Sequence, residues 1–395
     1  MAAGTSIAGH STPFVRPIKR FGAKDLASER ITNMECFLTA TGAYLPGDPI
    51  ANDQIGDFLG SLDGEADVAE NVLKMNGIVQ RYYAQDQRQR ATHDVYDLAM
   101  KAAHACLAAR SPVVPISYLA AGTTYAPLAA PGISSILHAR LQAAGLVAQP
   151  LEISSHAGVC TSSAAAFVAT VRSLQLGEHQ AALSIGAEHA SEVLKSTAIQ
   201  PLDDRAEHAD IRKSQWFMSV FLRFMLSDGA GAWLLESQPR TTGLSLRVDW
   251  THSMSFAHEA PLCMKLDNAT RLLSQDVTIL SRYFYSFAHR FVSTALEQRR
   301  EQLQAYRVVL PHMSSFFFQR RMERIMQAIA GNAAQPVKYW TNLATAGNTG
   351  AASIYVMLHQ YLQHHPPAHG DRLLLFIPES GQFNFVLISL TAVVT

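Results

Sequence analysis

Two segments of the chain, beginning at Cys160 and Asn348, resemble each other in sequence. In each, a functional-looking residue is followed by Thr and then by small residues, a helix-like run, a polar turn and an apolar run that ends in Glu. An internal echo of this kind indicates a duplicated architecture. We therefore predict two halves, residues 33–236 and 237–395, preceded by a loose N-terminal arm at residues 1–32.

Short β-rich runs alternate with small-residue helical patterns along most of the chain. This alternation predicts an α/β protein with buried parallel strands. Small residues after each opening residue would let a helix pack closely on several sides, as a layer between two sheets requires. The clearest strands are 183–186, 230–235, 307–310 and 373–377, and the clearest helices are 99–110, 163–176 and 350–364.

The composition narrows the class of protein. The chain is 48% hydrophobic and 16% charged with no net charge, which favours a folded core and argues against a nucleic-acid-binding surface. No apolar run approaches the length of a membrane span. The four cysteines are far apart and form no C-x-x-C pair, so we expect no structural metal and a reducing, cytoplasmic location.

Cys160 is the candidate nucleophile. It follows a strand-like run and stands where a small-residue helix begins, and the unpaired backbone N–H groups and dipole of a helix start favour the thiolate. The position therefore indicates covalent catalysis. The alternative is that Cys160 only fills space, because free cysteine is among the most buried residue types.

Several further segments follow one another in a fixed order. They are residues 40–46, 76–81, 121–125 with Pro131, 154–167 around Cys160, 227–232, 310–312 and 346–353. In this order they resemble the thiolase superfamily, and within it the β-ketoacyl-acyl-carrier-protein synthase III type. The resemblance implies a five-layer αβαβα fold and an acyltransferase that needs no cofactor.

The resemblance also implies a Cys-His-Asn active site at Cys160, His312 and Asn348. Cys160 would hold the acyl group, with an oxyanion hole formed by the backbone N–H groups of Cys160 and Gly381. His312 and Asn348 would donate hydrogen bonds to the thioester carbonyl of the second substrate and stabilise its enolate. The simpler alternatives are a buried structural histidine at position 312 and a helix-capping asparagine at position 348.

The chain departs from the family pattern in three places. Residues 70–78 lack the Trp and Arg that bind coenzyme A in many relatives, so a carrier-protein thioester is favoured over coenzyme A as first substrate. The segment Met313-Ser-Ser315 replaces the usual Gln-Ala-Asn. A long insert at 201–222 carries Trp216, Phe217 and Phe221, which we expect, with Ser315, to line an enlarged acyl pocket.

These departures resemble the ketosynthase branch that makes cyclohexanedione or dialkylresorcinol precursors, particularly at residues 76–83 and 312–318. That branch joins two long acyl units and closes a ring. Three alternatives stay open: a plain synthase III that releases a linear product, an acyltransferase of the same fold, and a noncatalytic subunit of a heterodimer. The resemblance also implies a homodimer formed through the edge strand after the Cys160 helix.

Overall fold

The computed structural model describes residues 34–199, 207, 210, 214–331 and 336–395. The strands are β1 Phe37–Tyr44, β2 Ile50–Ala51, β3 Gln80–Arg81, β4 Tyr118–Thr123, β5 Glu152–Ala157, β6 Ala181–Glu188, β7 Gly229–Glu236, β8 Leu244–Ser255, β9 Met264–Leu266, β10 Leu273–Gln275, β11 Val308–Pro311, β12 Arg372–Pro378 and β13 Asn384–Val394. The helices are α1 Ile55–Leu59, α2 Ala66–Asn76, α3 Val95–Ala109, α4 Ile133–Ala143, α5 Ser162–Gln175, α6 Ser191–Leu194, α7 Ser196–Ile199, α8 Gln215–Arg223, α9 Val277–Arg299, α10 Gln319–Ala330, α11 Leu343–Ala346 and α12 Ser353–His364.

Nine of the described strands form one mixed sheet in the order β11-β12-β13-β8-β1-β7-β6-β4-β5. The four predicted strands fall in β6, β7, β11 and β12, and the three predicted helices fall in α3, α5 and α12, so these predictions are confirmed. The expectation of parallel strands holds for β4, β5 and β6 and for β11 and β12. The other pairs in the sheet are antiparallel, because β1, β7, β8 and β13 run against their neighbours.

Helices pack on both outer faces of this sheet, and two further helices lie between its N-terminal and C-terminal strands. The helices α5 and α12 share one apolar core with strands of both halves of the chain. A second core packs α3 and α4 against the N-terminal strands, and a third packs α8, α9 and α10 against the C-terminal strands. The resulting αβαβα layering is the fold that the sequence predicted. The boundary at 236 stays a prediction, and it coincides with the last residue of β7.

The central layer depends on close approach between helix and sheet. Gly231 of β7 faces Tyr355 of α12, and a methyl group at position 231 would overlap its side chain. The Tyr355 ring stacks on Trp233 at 3.9 Å between centroids, and its hydroxyl lies 2.7 Å from Ser184 Oγ. These contacts join α12 of the second half to β6 and β7 of the first.

The open edges of the sheet correct one expectation. The strand after the Cys160 helix is β6, and it lies inside the sheet between β7 and β4. The edge at this end is β5, which comes directly before Cys160. The predicted N-terminal arm lies outside the described residues, as does most of the 201–213 part of the insert. Among the helices that are described, none combines the length and apolarity needed to cross a membrane.

Candidate active site

Cys160 lies in the short connection between β5 and α5. The strand ends at Ala157 and the helix begins at Ser162, so the thiol stands two residues before the helix. Cys160 is buried, with 8% of its surface exposed. The chain makes this tight turn because small residues surround it: Gly158 precedes Cys160, and Ser162 returns its hydroxyl to the Val159 carbonyl oxygen at 2.9 Å.

A polar cluster joins this connection to the turn between β12 and β13. The Glu379 carboxylate accepts hydrogen bonds from the Thr161 backbone N–H at 3.0 Å and from its hydroxyl at 2.5 Å. The Asn384 amide donates to the same hydroxyl oxygen at 2.8 Å. Gly381, the predicted second oxyanion donor, belongs to this turn, and a methyl group there would lie 2.8 Å from a Glu379 oxygen. The cluster therefore fixes the residue after Cys160 against the turn that carries Gly381.

Two cavities meet at Cys160. The first cavity holds Asn348 and Glu188 and is lined further by Leu222, Met225 and Met264. The second cavity holds His312 and is lined by residues of α9 and α10, namely Leu280, Phe284 and Met322. Cys160, Gln275, Ser314 and Ser380 line both. The three side chains that the sequence singled out are thus brought to one cavity system, with the thiol at the junction.

The carboxamide of Asn348 is oriented by its own turn. Its backbone pairs with the segment after α8, through bonds from Asn348 N to Met225 O at 3.1 Å and from Ser227 N to Asn348 O at 2.9 Å. Its side-chain oxygen accepts from Gly350 N at 3.0 Å and from Ser353 Oγ at 3.5 Å. With the oxygen occupied, the amide NH₂ is the group available to a ligand in the first cavity.

His312 follows β11 directly, at the strand end where the sequence placed it. Its backbone N–H donates to the Phe376 carbonyl at 2.8 Å, which continues the β11–β12 pairing by one residue. The imidazole is buried, and burial lowers the pKa of His312 to about 4. The ring is therefore neutral near pH 7 and carries one N–H donor and one acceptor nitrogen.

The electrostatics of Cys160 differ from the expectation of a favoured thiolate. Burial is the main cause that raises the pKa of Cys160 well above its ordinary value, and the charges of Glu379 and Glu188 raise it further. The helix start does not outweigh burial and these two carboxylates. Cys160 is thus a protonated thiol at rest, and its proton must be transferred when it attacks.

Sequence reasoning missed the two carboxylates. Glu188 is the last residue of β6, and its Oε2 accepts from Thr124 Oγ1 at 2.6 Å and from Ala351 N at 3.0 Å. Burial is the main cause that raises the pKa of Glu188 to about 7. The available signal was an acidic residue at the end of a mostly apolar run, which occurs in both repeated segments, at positions 188 and 379.

The four predicted pocket residues are not among those that line the two cavities. Trp216 and Phe221 of α8 are buried in the outer core, and Phe217 packs against it. The residues at the first cavity are instead Leu222, the next residue of α8, and Met225 and Leu226 beyond its end. Ser315 is buried and accepts from Phe317 N at 3.1 Å, whereas its neighbour Ser314 lines both cavities. A pocket role for these four residues stays a prediction.

Known proteins share this fold and are distantly similar in sequence. β-Ketoacyl-acyl-carrier-protein synthase III of Caulobacter vibrioides is 26% identical over 353 residues, covering 87% of this chain and 95% of its own. No protein-family model matches the chain. The solved structure of AbyA1, a tetronic acid condensing enzyme, superposes on this chain with a TM-score of 0.72 at 19% identity. The superposition covers 90% of this chain and 99% of the AbyA1 chain. The chain is thus similar in sequence to β-ketoacyl-acyl-carrier-protein synthase III, and it has the same fold.

A further solved structure of this fold contains bound ligands. A variant of Xanthomonas campestris OleA with bound lauric acid and lauroyl-CoA superposes with a TM-score of 0.68 at 16% identity, covering 90% of this chain and 99% of its own. At this identity the likeness concerns the fold. The substrates of this chain therefore have to be argued from its own site.

Proposed function

We propose that this thiolase-fold condensing ketosynthase joins two thioester-bound acyl units by Claisen-type condensation through an acyl-Cys160 intermediate. The enolate of the second unit forms when its α-carbon loses either CO₂ or a proton, and the electron pair of the broken bond moves towards the thioester carbonyl. Neutral His312 and the Asn348 amide donate hydrogen bonds to that carbonyl oxygen, where the negative charge develops. Backbone N–H groups of Cys160 and Gly381 stabilise the oxyanion formed at the first carbonyl. The enolate carbon then attacks the acyl-cysteine and releases the thiol.

The observation that carries this proposal is the meeting of two separate cavities at one thiol. A single acyl chain needs one channel, whereas a reaction between two chains needs both to reach the same sulfur. Asn348 lines the first cavity and His312 lines the second, and we propose that both donate to an enolate held at the junction.

Both cavities are narrow as they stand, with about 40 Å³ of free volume each. Their walls carry flexible methionines, Met225 and Met264 in the first and Met313 and Met322 in the second. Methionine adapts its shape readily, because it is unbranched with several rotatable bonds. Acyl chains therefore enter by rearranging these side chains.

The finer proposal is that the condensed product closes to a cyclohexanedione or dialkylresorcinol precursor, with carrier-protein thioesters as the donors. Two large acyl units held at one cysteine are what such a ring closure requires. The second candidate is a plain synthase III that releases a linear β-ketoacyl product, and the relatives named synthase III favour it.

The deciding experiment incubates the protein with carrier-bound acyl and β-ketoacyl thioesters and follows intact-protein mass and released product. We expect one acyl group on the wild-type chain and none on Cys160→Ser, although that variant keeps the other three cysteines. A cyclic product supports ring closure and a linear one the plain condensing enzyme. Absence of any carbon–carbon-bonded product from an acylated wild-type protein overturns the proposed function.

We also propose that the chain forms a homodimer through β5. This strand ends the described sheet, and its residues alternate between half-buried and exposed, with Ile153 37% exposed. An open edge strand presents unpaired backbone groups that a second copy can bond. Light scattering on the eluting protein measures the mass, and Ile153→Lys should shift it towards the monomer.

A further inference from the structure

We propose that Glu188 is a further catalytic residue, the group that accepts the Cys160 proton during acyl transfer and returns it to the departing thiol. The inference rests on the proposed acyl-Cys160 function and adds a named proton acceptor to it.

Glu188 lines the cavity in which the proposed acyl transfer takes place. The residue is 3% exposed, yet it lines the first cavity together with Cys160 and Asn348. Its Oε2 is held by Thr124 Oγ1 and Ala351 N, and Gly350 lies directly against the carboxylate, since a methyl group at position 350 would overlap it. These contacts restrict rotation of the carboxylate.

No ion pair within the described residues neutralises Glu188. A buried carboxylate is normally paired or protonated, because isolated charge is expensive to bury. Burial and the nearby Asp228 raise its pKa, while bonds from Ala351, Thr124 and His189 lower it, leaving it at about 7. A group that titrates near the working pH is the most efficient acid–base catalyst.

The other ionisable groups near Cys160 are less suited to this role. His312 is neutral, and a pKa of about 4 makes it a weak proton acceptor. Glu379 is bonded to Thr161 through Oε2 and does not line either cavity, although its neighbours Pro378 and Ser380 do. Asp228 is held by Ala84 N and Ser191 N and also lies outside both cavities.

The step balances without any co-reactant. The Cys160 S–H bond breaks as its electron pair forms the bond from Sγ to the thioester carbonyl carbon, and the proton passes to ionised Glu188. The bond from that carbon to the substrate sulfur then breaks, and the departing thiolate takes the proton back. The products are acyl-Cys160, a free thiol and ionised Glu188.

The charged and titratable groups around Glu188 determine the expected pH dependence. They are Cys160 at the start of α5, Asp228 before β7, the adjacent His189, and Glu379 beyond the thiol. None of these is a fixed cation that would hold Glu188 ionised at low pH. Because only the ionised form accepts a proton, the acylation rate should fall as pH drops through about 7.

The test is single-turnover acylation of the full chain by octanoyl-N-acetylcysteamine between pH 5.5 and 8.5, followed by intact mass. Wild type should lose rate below pH 7. We expect Glu188→Gln to acylate roughly a hundredfold more slowly at pH 8 and to lose that pH dependence, the size typical of a missing general base. Thr124→Val removes a donor to the ionised form and should move the midpoint to higher pH.

Glu379→Gln is the matched control, because it removes the other carboxylate that raises the pKa of Cys160. It should change the rate but keep the midpoint near 7. Acylation by Glu188→Gln at the wild-type rate, or an unchanged midpoint in Thr124→Val, overturns the inference. The inference is also overturned if Glu379→Gln loses the fall in acylation rate below pH 7 while Glu188→Gln keeps it. Product analysis of the same wild-type protein with a second thioester tests the condensing function separately.

Discussion

The side-chain oxygen of Asn348 accepts the backbone N–H of Gly350 at 3.0 Å, so the residue that begins this turn is also oriented by it. A capping role and a catalytic role are therefore combined in one side chain: the oxygen stabilises the turn and the NH₂ serves the cavity. Gly350 makes this possible with a positive φ of 48°. The two roles can be separated by substitution, because Asp keeps the oxygen and loses the donor.

Asn348→Asp should retain the fold and lose condensation. We expect the condensation rate to fall about a hundredfold or more, since one preorganised donor to an oxyanion is worth roughly 3 to 4 kcal/mol. Acylation of Cys160 should suffer less. Ser353→Ala, which removes the 3.5 Å contact to the same oxygen and the 3.2 Å bond from Thr349 Oγ1, is the control. Equal losses of acylation and condensation would argue against the role given to Asn348.

The sequence anticipated the parts of this molecule that local pattern determines. The starts of α5 and α12 were predictable because Cys160 and Asn348 each precede Thr and small residues that only a close-packed helix needs. His312 was predictable because it follows an apolar run at a strand tip. The mixed sheet was not, because a strand buried on both faces has the same apolar composition in either direction.

Long-range contacts explain what the sequence left out. Glu188 meets Thr124 and Ala351, which are 64 and 163 positions away, and no local pattern reports such a meeting. The aromatic residues Trp216 and Phe221 were expected at the acyl pocket, yet large rings are also the best fillers of a core. The first cavity is lined by Leu222 and Met225, and a pocket role for the aromatic residues stays a prediction.

The elevated pKa of Cys160 predicts slow alkylation near neutral pH. Burial, Glu379 and Glu188 all favour the protonated thiol, so only a small thiolate fraction reacts. Between pH 8 and 9 the rate of Cys160 labelling by iodoacetamide should rise about tenfold, since each pH unit below a pKa changes the thiolate fraction by that factor. Peptide mass mapping measures the rate, with Cys160→Ser as the blank. A plateau below pH 8 would show a thiolate already formed.

The two cavities should each hold one acyl chain. Leu222→Phe narrows the first cavity and Met322→Phe the second, and both changes keep the site apolar. With two substrates of different chain length, each variant should shorten one chain of the product and leave the other unchanged. Mass spectrometry of the products from mixed substrates measures the length of each chain. If both variants shortened the same chain, the second cavity would have no acyl role.

The close approach of β4 to α5 predicts a stability effect at Gly122. A methyl group there would lie inside the backbone of Ser162 and Ser163, at the first turn of the helix that follows Cys160. Backbone on both sides cannot move aside as a flexible side chain would, so Gly122→Ala should lower the free energy of unfolding by about 3 kcal/mol or more.

Gly56→Ala is the matched control for this prediction. That glycine lies within α1 and would meet only Ser61 Oγ at 3.4 Å, so alanine should stabilise the chain by up to about 1 kcal/mol. Urea unfolding followed by circular dichroism compares the two variants. The methyl group of Gly122→Ala would overlap the backbone that follows Cys160. This variant should therefore also slow acylation in the fraction that folds, whereas Gly56→Ala should not. Equal stability of the two variants would mean that β4 and α5 can separate without cost, and the thiol would then lack the rigid support inferred for it.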